Sequence, residues 1–259
     1  MFRLLAITFF LLSCGKLNYS PYTAEVSDRK LNERNLDYIA DRSSVFGNDF
    51  KVAVLSDTHD YYKNLEKQIQ YINDNKDEIA FVIHTGDATN LGLLPEWEMY
   101  LDEMGKLEIP YVMVIGNHDL LSNGKSLYKK LFGNDLNMTF DFKQTRFILF
   151  NNNNWESRGT VPNTNYVEEQ LSTSGQTHNL FFAHVQYDDP DRYTESEINV
   201  MENLVSTYNV SHVINGHNHN FGAGSFSTAT RLTVGSSHKG RVLILSISDS
   251  GVSYEFKKF

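Results

Sequence analysis

The sequence contains a single cysteine, Cys14, in 259 residues. One cysteine cannot form an internal disulfide bond, and it cannot build a zinc site that depends on several thiolates. Basic residues are also in the minority, since 23 Lys and Arg stand against 32 Asp and Glu, a formal net charge of −9. Nucleic acid attracts proteins through Lys and Arg contacts to its phosphates. We therefore expect no specific nucleic-acid partner.

The N-terminal apolar run is too short to cross a bilayer, which takes about 20 apolar residues. Residues 4–12 are apolar except for Thr8 and follow the basic Arg3, a pattern typical of an export signal. We assign residues 1–13 to a signal peptide. Residues 11–14, Leu-Leu-Ser-Cys, resemble the lipobox of bacterial lipoproteins, which implies lipidation of Cys14 and a membrane-anchored place in the bacterial cell envelope. An ordinary cleaved signal with an incidental cysteine is the alternative.

The remaining chain has the size and composition of one soluble globular domain, with 41% hydrophobic and 21% charged residues. Residues 14–28 are expected to form a tether and residues 29–259 a single domain. Within residues 29–42, Leu36, Ile39 and Ala40 stand at helical spacing. This spacing predicts a leading helix that packs on the outside of the domain.

Short apolar runs alternate with helical patterns and predict a mixed α/β fold. Strands are predicted at 51–56, 80–84, 111–115, 146–150, 180–183 and 210–214, and helices within 60–79, 95–107 and 194–208. The alternation predicts parallel strands with helices laid on the sheet. The closing runs, 231–234, 241–247 and 252–256, have no helix between them and are expected to form an antiparallel meander.

Polar residues follow five of the predicted strands. They are Asp57 and His59, Asp87 after Gly86, Asn117 within residues 116–119, His184, and His217 and His219 after Gly216. In a sheet of this type the carboxyl ends of the strands gather at one edge, where ligands bind. Carboxylates, imidazoles and one amide suit zinc, manganese or iron better than calcium. Each cluster alone could be a turn or a packing residue, but together they predict a metal site.

The series Asp57-x-His59, Gly86-Asp87, 116–119 (Gly-Asn-His-Asp), His184 and Gly216-His217-x-His219 resembles the calcineurin-like metallophosphoesterase superfamily. The resemblance extends over residues 51–220. It implies a four-layer α-β-β-α sandwich in which two mixed sheets are flanked by helices. The metal site would lie at the C-terminal edge of the strands, and the closing strands would belong to the second sheet.

The resemblance also implies a role for each matching position. Asp57, His59, Asp87 and His219 would hold one metal ion. Asp87 would bridge to a second ion completed by Asn117, His184 and His217. His118 would be the general acid, oriented by Asp119. The cofactors would be two divalent or trivalent ions, and this ligand set accepts manganese, iron or zinc.

Such a site implies hydrolysis of a phosphomonoester or a phosphodiester. Two cations roughly 3.5–4 Å apart can activate a bridging water and stabilise both the attacking and the leaving oxygens. His118 would protonate the leaving alkoxide. Monoesterase, cyclic-nucleotide diesterase and nuclease activities stay open, although the net acidity disfavours a nuclease and favours a small-molecule substrate. The alternative from another class is an inactive protein of the same fold that acts as an interaction or scaffold module.

Two loops at the predicted metal edge are candidates for substrate contacts. The loop at residues 185–193 follows His184 and carries Tyr187 and Arg192, of which the arginine suits bidentate phosphate contact. Residues 151–158 also follow a strand, and there Trp155 and Arg158 are further candidates.

Overall fold

The computed structural model describes Ser20 and residues 22–259. The predicted signal peptide, Cys14 and most of the first half of the predicted tether lie outside the described residues. Within the described part of the chain, no helix is both long enough and apolar enough to span a membrane.

Six α-helices and eleven β-strands are present in the described residues. The helices are α1 (Leu31–Arg42), α2 (Tyr62–Asp74), α3 (Leu94–Met104), α4 (Gly124–Phe132), α5 (Thr164–Ser172) and α6 (Glu195–Thr207). The strands are β1 (Phe50–Leu55), β2 (Ile79–His84), β3 (Tyr111–Met113), β4 (Met138–Phe142), β5 (Thr145–Leu149), β6 (His178–Phe182), β7 (Val210–Asn215), β8 (Gly222–Phe226), β9 (Ala229–Thr233), β10 (Arg241–Ser248) and β11 (Gly251–Lys258).

These strands form two mixed sheets. The first has the order β11-β10-β1-β2-β3, and the second has the order β4-β5-β6-β7-β9-β8. In the first sheet β1, β2 and β3 are parallel, and β10 pairs antiparallel with β1. In the second sheet β5, β6, β7 and β9 are parallel, with β4 and β8 antiparallel at the edges.

The alternation of side chains along β1 shows how the layers are held. Val52 and Val54 point into a hydrophobic cluster between the two sheets, while Ala53 and Leu55 point into a cluster beneath α2, α3 and α4. A third cluster packs the outer face of the second sheet against α5 and α6. The molecule is therefore the four-layer α-β-β-α sandwich that the family resemblance implies, and the predicted fold class is confirmed.

The prediction for the closing strands was wrong in two respects. The run near residue 231 is β9, which lies in the second sheet parallel to β7 rather than in a meander with its successors. The pair β10 and β11 belongs to the first sheet, not the second. The physical reason is that β10 supplies hydrogen-bond partners to the open side of β1 while Leu243 and Leu245 fill the core between the sheets. The strands β10 and β11 do pair antiparallel, joined by a tight turn between Ser248 and Gly251.

The leading helix α1 covers the free hydrogen-bonding edge of β3, the last strand of the first sheet. Buried Asn32 in α1 donates to the carbonyl of Met113 at 3.0 Å and accepts the Met113 N–H at 2.9 Å. A side-chain amide thus replaces the neighbouring strand that β3 lacks on this side. Placed at the outside of the sheet, α1 has a structural role, as its pattern predicts.

Candidate metal centre

Seven side chains with metal-ligand chemistry converge where the carboxyl ends of the two sheets meet. Asp57 and His59 follow β1, Asp87 follows β2, Asn117 follows β3, His184 follows β6, and His217 and His219 follow β7. The structure places Asp57, His59, Asp87 and His219 in one group and Asp87, His184 and His217 in a second, each with donor atoms within 4.8 Å of one another. Asp87 belongs to both groups.

Most of these residues hold an unusual backbone conformation. The φ angle is positive at Asp57 (49°), His59 (47°), Asp87 (56°), His217 (68°) and His219 (55°). Residues with a Cβ rarely adopt this left-handed region, and such conformations cluster at functional sites. The backbone is therefore bent so that side chains two positions apart, which would otherwise continue along a strand, point into one small volume.

Two glycines allow the ligand loops to approach each other. A Cβ on Gly116 would lie 2.2 Å from Asp87 Oδ1, and a Cβ on Gly216 would lie 2.7 Å from Asp57 Oδ2. Both distances are far below a normal contact, so any larger residue would displace a ligand carboxylate. Here glycine is needed for close packing rather than for its φ angle.

The first group is built around Asp57. Its carboxylate accepts the backbone N–H of His217 at 3.1 Å and lies 3.3 Å from His219 Nε2. His59 Nε2 is 3.3 Å from His219 Nε2 and 3.8 Å from Asp87 Oδ2. Two imidazole nitrogens and two carboxylates thus face a common point, which is the donor set expected for a zinc, manganese or iron ion.

The second group is built around Asn117 and His184. Asn117 Oδ1 lies 3.0 Å from both His184 Nε2 and His217 Nδ1. His184 Nε2 lies 3.1 Å from Asp87 Oδ2. The amide oxygen, the two imidazoles and the shared carboxylate therefore form a second coordination site beside the first.

The outer nitrogens of two histidines fix which nitrogen faces each group. His59 Nδ1 is 3.2 Å from the carbonyl of Thr89, and His184 Nδ1 is 2.9 Å from the carbonyl of Thr85. A carbonyl only accepts, so each Nδ1 carries a hydrogen and Nε2 is the nitrogen left to bind a metal ion. Carbonyl partners of this kind are common behind metal-binding histidines, and the arrangement fits a metal ion.

The electrostatics of the second group also favour a cation. Burial alone would lower the pKa of His184, but the charges of Asp87 and Asp57 outweigh it and raise that pKa to about 9. Burial would raise the pKa of Asp87, yet the facing His184, His118 and His59 hold it below its usual range. The pocket is therefore negative enough to retain a positive charge in a fully buried place.

His118 stands at the edge of this cluster, half-buried. Its backbone N–H donates to Asp87 Oδ1 at 2.9 Å, and its ring lies 4.9 Å from that of His59, edge to face. Its Nδ1 lies 2.6 Å from the carbonyl of Asn90, so Nδ1 carries a hydrogen. Nε2 is the nitrogen on the side of the ring away from this carbonyl. His118 thus lies next to the candidate ligands but belongs to neither of the two groups.

Asp119 does not orient His118, and this expectation is corrected. The fully buried carboxylate accepts the backbone N–H groups of Asp87 (2.9 Å), Gly116 (2.9 Å) and Thr89 (3.0 Å) and the Thr89 hydroxyl (2.9 Å). Burial and the charge of Asp87 raise the pKa of Asp119 to about 6, against the effect of these donors. The carbonyl of Asn90 orients His118 instead, while Asp119 joins the loops after β2 and β3.

The asparagines at residues 151–154 have a larger role than their sequence indicates. All four are buried, and Asn152 Oδ1 accepts the backbone N–H groups of His184 at 3.2 Å and Val185 at 3.0 Å. Asn153 Nδ2 donates to the carbonyl of Ile115 at 2.9 Å, just before Gly116. The sequence alone indicates only a loop here, although the run of four amides directly after a buried strand is a signal of such a role.

Tyr187 and Arg192, the candidate substrate contacts in the loop after His184, lie in different environments. Tyr187 is 2% exposed and stacks on Phe150 with ring centroids 5.7 Å apart, so its ring packs in the core beneath α6. Arg192 Nη1 is 3.1 Å from both carboxylate oxygens of Glu156, and its guanidinium lies 4.2 Å over the exposed ring of Trp155. Burial and the charge of His184 lower the pKa of His217 to about 4, and the charge of Arg192 contributes to this shift.

A protein-family model and two curated sequences each match part of this chain. The family described as calcineurin-like phosphoesterase matches residues 50–221. The chain is 28% identical over 102 residues to a protein of Xenorhabdus bovienii named "Probable cyclic nucleotide phosphodiesterase", covering 38% of this chain and 36% of that one. It is 31% identical over 91 residues to a "Probable glycerophosphodiester phosphodiesterase" of Arcobacter nitrofigilis, covering 30% and 33%. The chain thus spans about a third of the curated relatives it matches.

Solved structures share the fold at low sequence identity. A purple acid phosphatase from yellow lupin superposes with a TM-score of 0.67 at 15% identity, covering 83% of this chain and 52% of that one. GAP50 of Plasmodium, described as an anchor in the inner membrane complex, gives 0.63 at 15% identity, covering 82% and 85%. A dimetal phosphatase from Danio rerio gives 0.59 at 12% identity, covering 80% and 99%.

Proposed function

Because the chain belongs to the calcineurin-like phosphoesterase family, we propose that it is a metal-dependent hydrolase of phosphoric esters. The observation that carries this proposal is the convergence of Asp57, His59, Asp87 and His219 with Asn117, His184 and His217 in two groups that share Asp87. A structural metal site would use one closed set of ligands. Two overlapping sets at a sheet edge, with a free histidine beside them, are the arrangement of a catalytic site.

The residues of each group fit a metal ion, and the ions would be manganese, iron or zinc. Two such ions supply Lewis acidity toward the phosphoryl oxygens and make hydroxide available near neutral pH. Asp87 would lower the repulsion between two bound cations, because its carboxylate belongs to both groups. Asn117 would add an oxygen ligand without a further negative charge that would repel a phosphate ester.

His118 is the proposed proton donor to the leaving group. Hydrolysis forms a bond between phosphorus and the attacking oxygen and breaks the bond between phosphorus and the ester oxygen, which leaves with the bonding electrons. Protonated His118 can give its Nε2 hydrogen to that oxygen, since Nδ1 is occupied by the carbonyl of Asn90. The proton lost by the attacking water restores the ring for the next turnover.

The names of the sequence relatives support a phosphodiester as the substrate. Both proteins cited above are named as phosphodiesterases, one for cyclic nucleotides and one for glycerophosphodiesters. We therefore propose a small phosphodiester rather than a polymer. The formal net charge of −9 agrees with this choice, because an acidic protein has no overall electrostatic attraction to the phosphates of a nucleic acid.

The second candidate is an inactive scaffold of the same fold. GAP50, which resembles this chain in fold, is described as the anchor in the inner membrane complex of Plasmodium. The fold therefore does not decide between the two functions, and the site residues must. Here each position of the two groups carries a ligand side chain and His118 is in place, which favours catalysis.

The test is hydrolysis of bis(p-nitrophenyl) phosphate and p-nitrophenyl phosphate by the purified protein with added Mn²⁺. We expect turnover of the diester, its loss on chelation, and its loss in Asp87→Asn. The exposed control Asp102→Asn on α3 should keep full activity. Absence of turnover in the wild type with manganese, iron and zinc each supplied would favour the scaffold.

We also propose that the protein is exported and carries a lipid on Cys14, which anchors it to a membrane of the bacterial envelope. The support is the apolar run at residues 4–12 followed by Leu-Leu-Ser-Cys. Metabolic labelling with a fatty acid should mark the wild type and not Cys14→Ser. An unlabelled wild type recovered from the cytoplasm would contradict both parts of this proposal.

A further inference from the structure

A polar pocket is lined in part by residues that neighbour the candidate metal ligands in the chain. We call it the amide pocket: it is lined by Gln186, Asn218, Asn220, Arg231 and Thr233 together with residues 221–223, and its volume is about 520 Å³. The volume falls in the range of small-molecule sites, roughly 300–1,000 Å³. The metal chemistry described above assigns no binding role to any of these side chains.

The pocket is tied to the metal centre by the chain itself. Asn218 stands between the ligands His217 and His219, so its Cα is about 3.8 Å from the Cα of each. Gln186 follows the ligand His184 by two residues. Two walls of the pocket are therefore continuous with ligand loops, and a group bound there would lie next to an ester held at the metal centre.

The lining consists mainly of uncharged groups that both donate and accept hydrogen bonds. Gln186 Nε2 donates to Thr233 Oγ1 at 2.7 Å, which leaves the Gln186 carbonyl oxygen and the Thr233 hydroxyl hydrogen for a ligand. Asn220 Oδ1 accepts from Lys239 Nζ at 2.9 Å, which turns its NH₂ group away from the lysine. The amides are thus held in defined orientations before any ligand arrives.

The charge in the pocket wall is largely neutralised. Arg231 forms an ion pair with Asp188, so its guanidinium does not stand as an unpaired cation. Anion sites in proteins rely on arginine or lysine groups directed at the ligand, and Lys239 lies outside, against Asn220. The one aromatic residue of the lining, Phe221, already has ring partners: it packs against Phe256 at 4.6 Å between centroids, and the Arg241 guanidinium lies 5.0 Å over its ring.

Alcohol hydroxyls match this lining because each hydroxyl both donates and accepts. We infer that the amide pocket binds a hydroxyl-rich alcohol portion, a polyol or a sugar, of the phosphodiester substrate. This inference rests on the proposed phosphodiesterase function and specifies its substrate class. Bound there, the alcohol is placed beside the cleaved bond, where the hydroxyls contact Gln186, Asn220 and Thr233.

The test compares two diesters that differ in their alcohols, bis(glycerol) phosphate and bis(p-nitrophenyl) phosphate. The pocket variant is Thr233→Val, which keeps the shape and removes the hydroxyl, and Gln186→Leu is the second. We expect each to lower the ratio of kcat/KM for the glycerol diester to that for the aryl diester about tenfold, the effect of losing one or two hydrogen bonds. Thr230→Val, on the same strand β9 but on the opposite sheet face, should leave the ratio unchanged.

Binding is measured separately from catalysis. Titration calorimetry of bis(glycerol) phosphate into His118→Ala protein should show a Kd that rises about tenfold when Thr233→Val is added. Circular dichroism melting checks that each variant is folded. If one of the two pocket variants does not fold, Asn220→Leu is tested in its place.

The outcomes separate this inference from the function on which it rests. If the aryl diester is hydrolysed but the ratio and the Kd do not change in folded pocket variants, the inference is overturned and the phosphodiesterase proposal stands. A fall of the ratio in Trp155→Ala, with no fall in the pocket variants, also overturns the inference, because the alcohol would then bind near Trp155 and not in the amide pocket. If neither diester is hydrolysed, the proposed function fails.

Discussion

The carboxylate of Asp119 accepts the backbone N–H of Asp87 at 2.9 Å, so one buried acid positions another. Asp119 Oδ2 also accepts the N–H of Gly116 at 2.9 Å, while Oδ1 accepts the N–H of Thr89 at 3.0 Å and its hydroxyl at 2.9 Å. Both oxygens are therefore used as acceptors. The loops after β2 and β3 keep their relative position through this one side chain.

Asp119→Asn should destabilise the protein, although the two side chains have the same shape. An amide has one acceptor oxygen, and its NH₂ group would face N–H donors in either orientation. Leaving buried donors unpaired costs about 1–3 kcal/mol. Urea unfolding should show a loss of unfolding free energy in that range. Asp102→Asn on the exposed side of α3 is the matched control and should change the unfolding free energy little. Equal stability of the two variants would contradict the proposed role of Asp119.

Asn152→Leu should weaken metal binding while the fold is retained. The Asn152 amide accepts the N–H of His184 at 3.2 Å and donates to the carbonyl of Val185 at 2.7 Å, which sets the position of the ligand loop. Loss of groups that orient metal ligands reduces metal affinity by about 10–100-fold. Manganese titration followed by calorimetry measures this affinity.

The control for that measurement is Asn203→Leu, the same substitution at an exposed position of α6. It should bind manganese as the wild type does. If Asn152→Leu also binds manganese normally and remains folded, then the buried amide only fills space behind His184.

His118→Ala should reduce kcat more for a substrate with a poor leaving group than for one with a good leaving group. General acid catalysis contributes on the order of 10²–10⁴-fold, and an alkoxide needs a proton far more than p-nitrophenolate does. We expect kcat for an alkyl phosphodiester to fall within that range, with a smaller fall for bis(p-nitrophenyl) phosphate. Metal content, measured by mass spectrometry, should not change, because His118 belongs to neither ligand group. An equal loss for both substrates would assign His118 to substrate binding instead.

His212 should contribute to a loss of stability in acid. Burial, together with the charge of His178, lowers the pKa of His212 to about 4. The unfolded chain therefore binds a proton below its ordinary pKa of about 6.5, whereas the folded chain does not until about pH 4. Stability is then complete above about pH 6.5 and declines as the pH falls toward 4. In His212→Gln the decline of the melting temperature over this window should be shallower than in the wild type, and identical slopes would contradict the prediction.

Much of the fold could be predicted because local patterns express it. The runs that became β1 and β2 are apolar on both faces, as strands between two layers must be, and their bounds were found to within a residue or two. The strand β4 was missed although Met138, Phe140 and Phe142 alternate with polar residues. In β8 two glycines, Gly222 and Gly224, hide the strand pattern altogether.

Sheet membership could not be predicted from local pattern. Whether β10 joins β1 or β9 depends on which edge lacks hydrogen-bond partners once the sheets have formed, and this is a property of the whole fold. The candidate ligands could be selected from the sequence because each carries its chemistry in its own side chain. The roles of Asp119 and Asn152 were not, because they depend on which distant N–H groups their oxygens accept.

The shared position of Asp87 makes a quantitative prediction about metal content. His219 belongs to one group and His184 to the other, whereas Asp87 belongs to both. His219→Ala and His184→Ala should therefore each lose about one ion per chain, because ligand count sets metal affinity and the other group stays intact. Asp87→Asn should lose more than either, since the remaining amide gives both ions one weak ligand in place of a shared charge. His238→Ala, outside both groups, is the control, and metal is counted by mass spectrometry after dialysis. Equal losses in the three ligand variants would mean that the seven side chains form a single cooperative site, and that the division around Asp87 has no thermodynamic meaning.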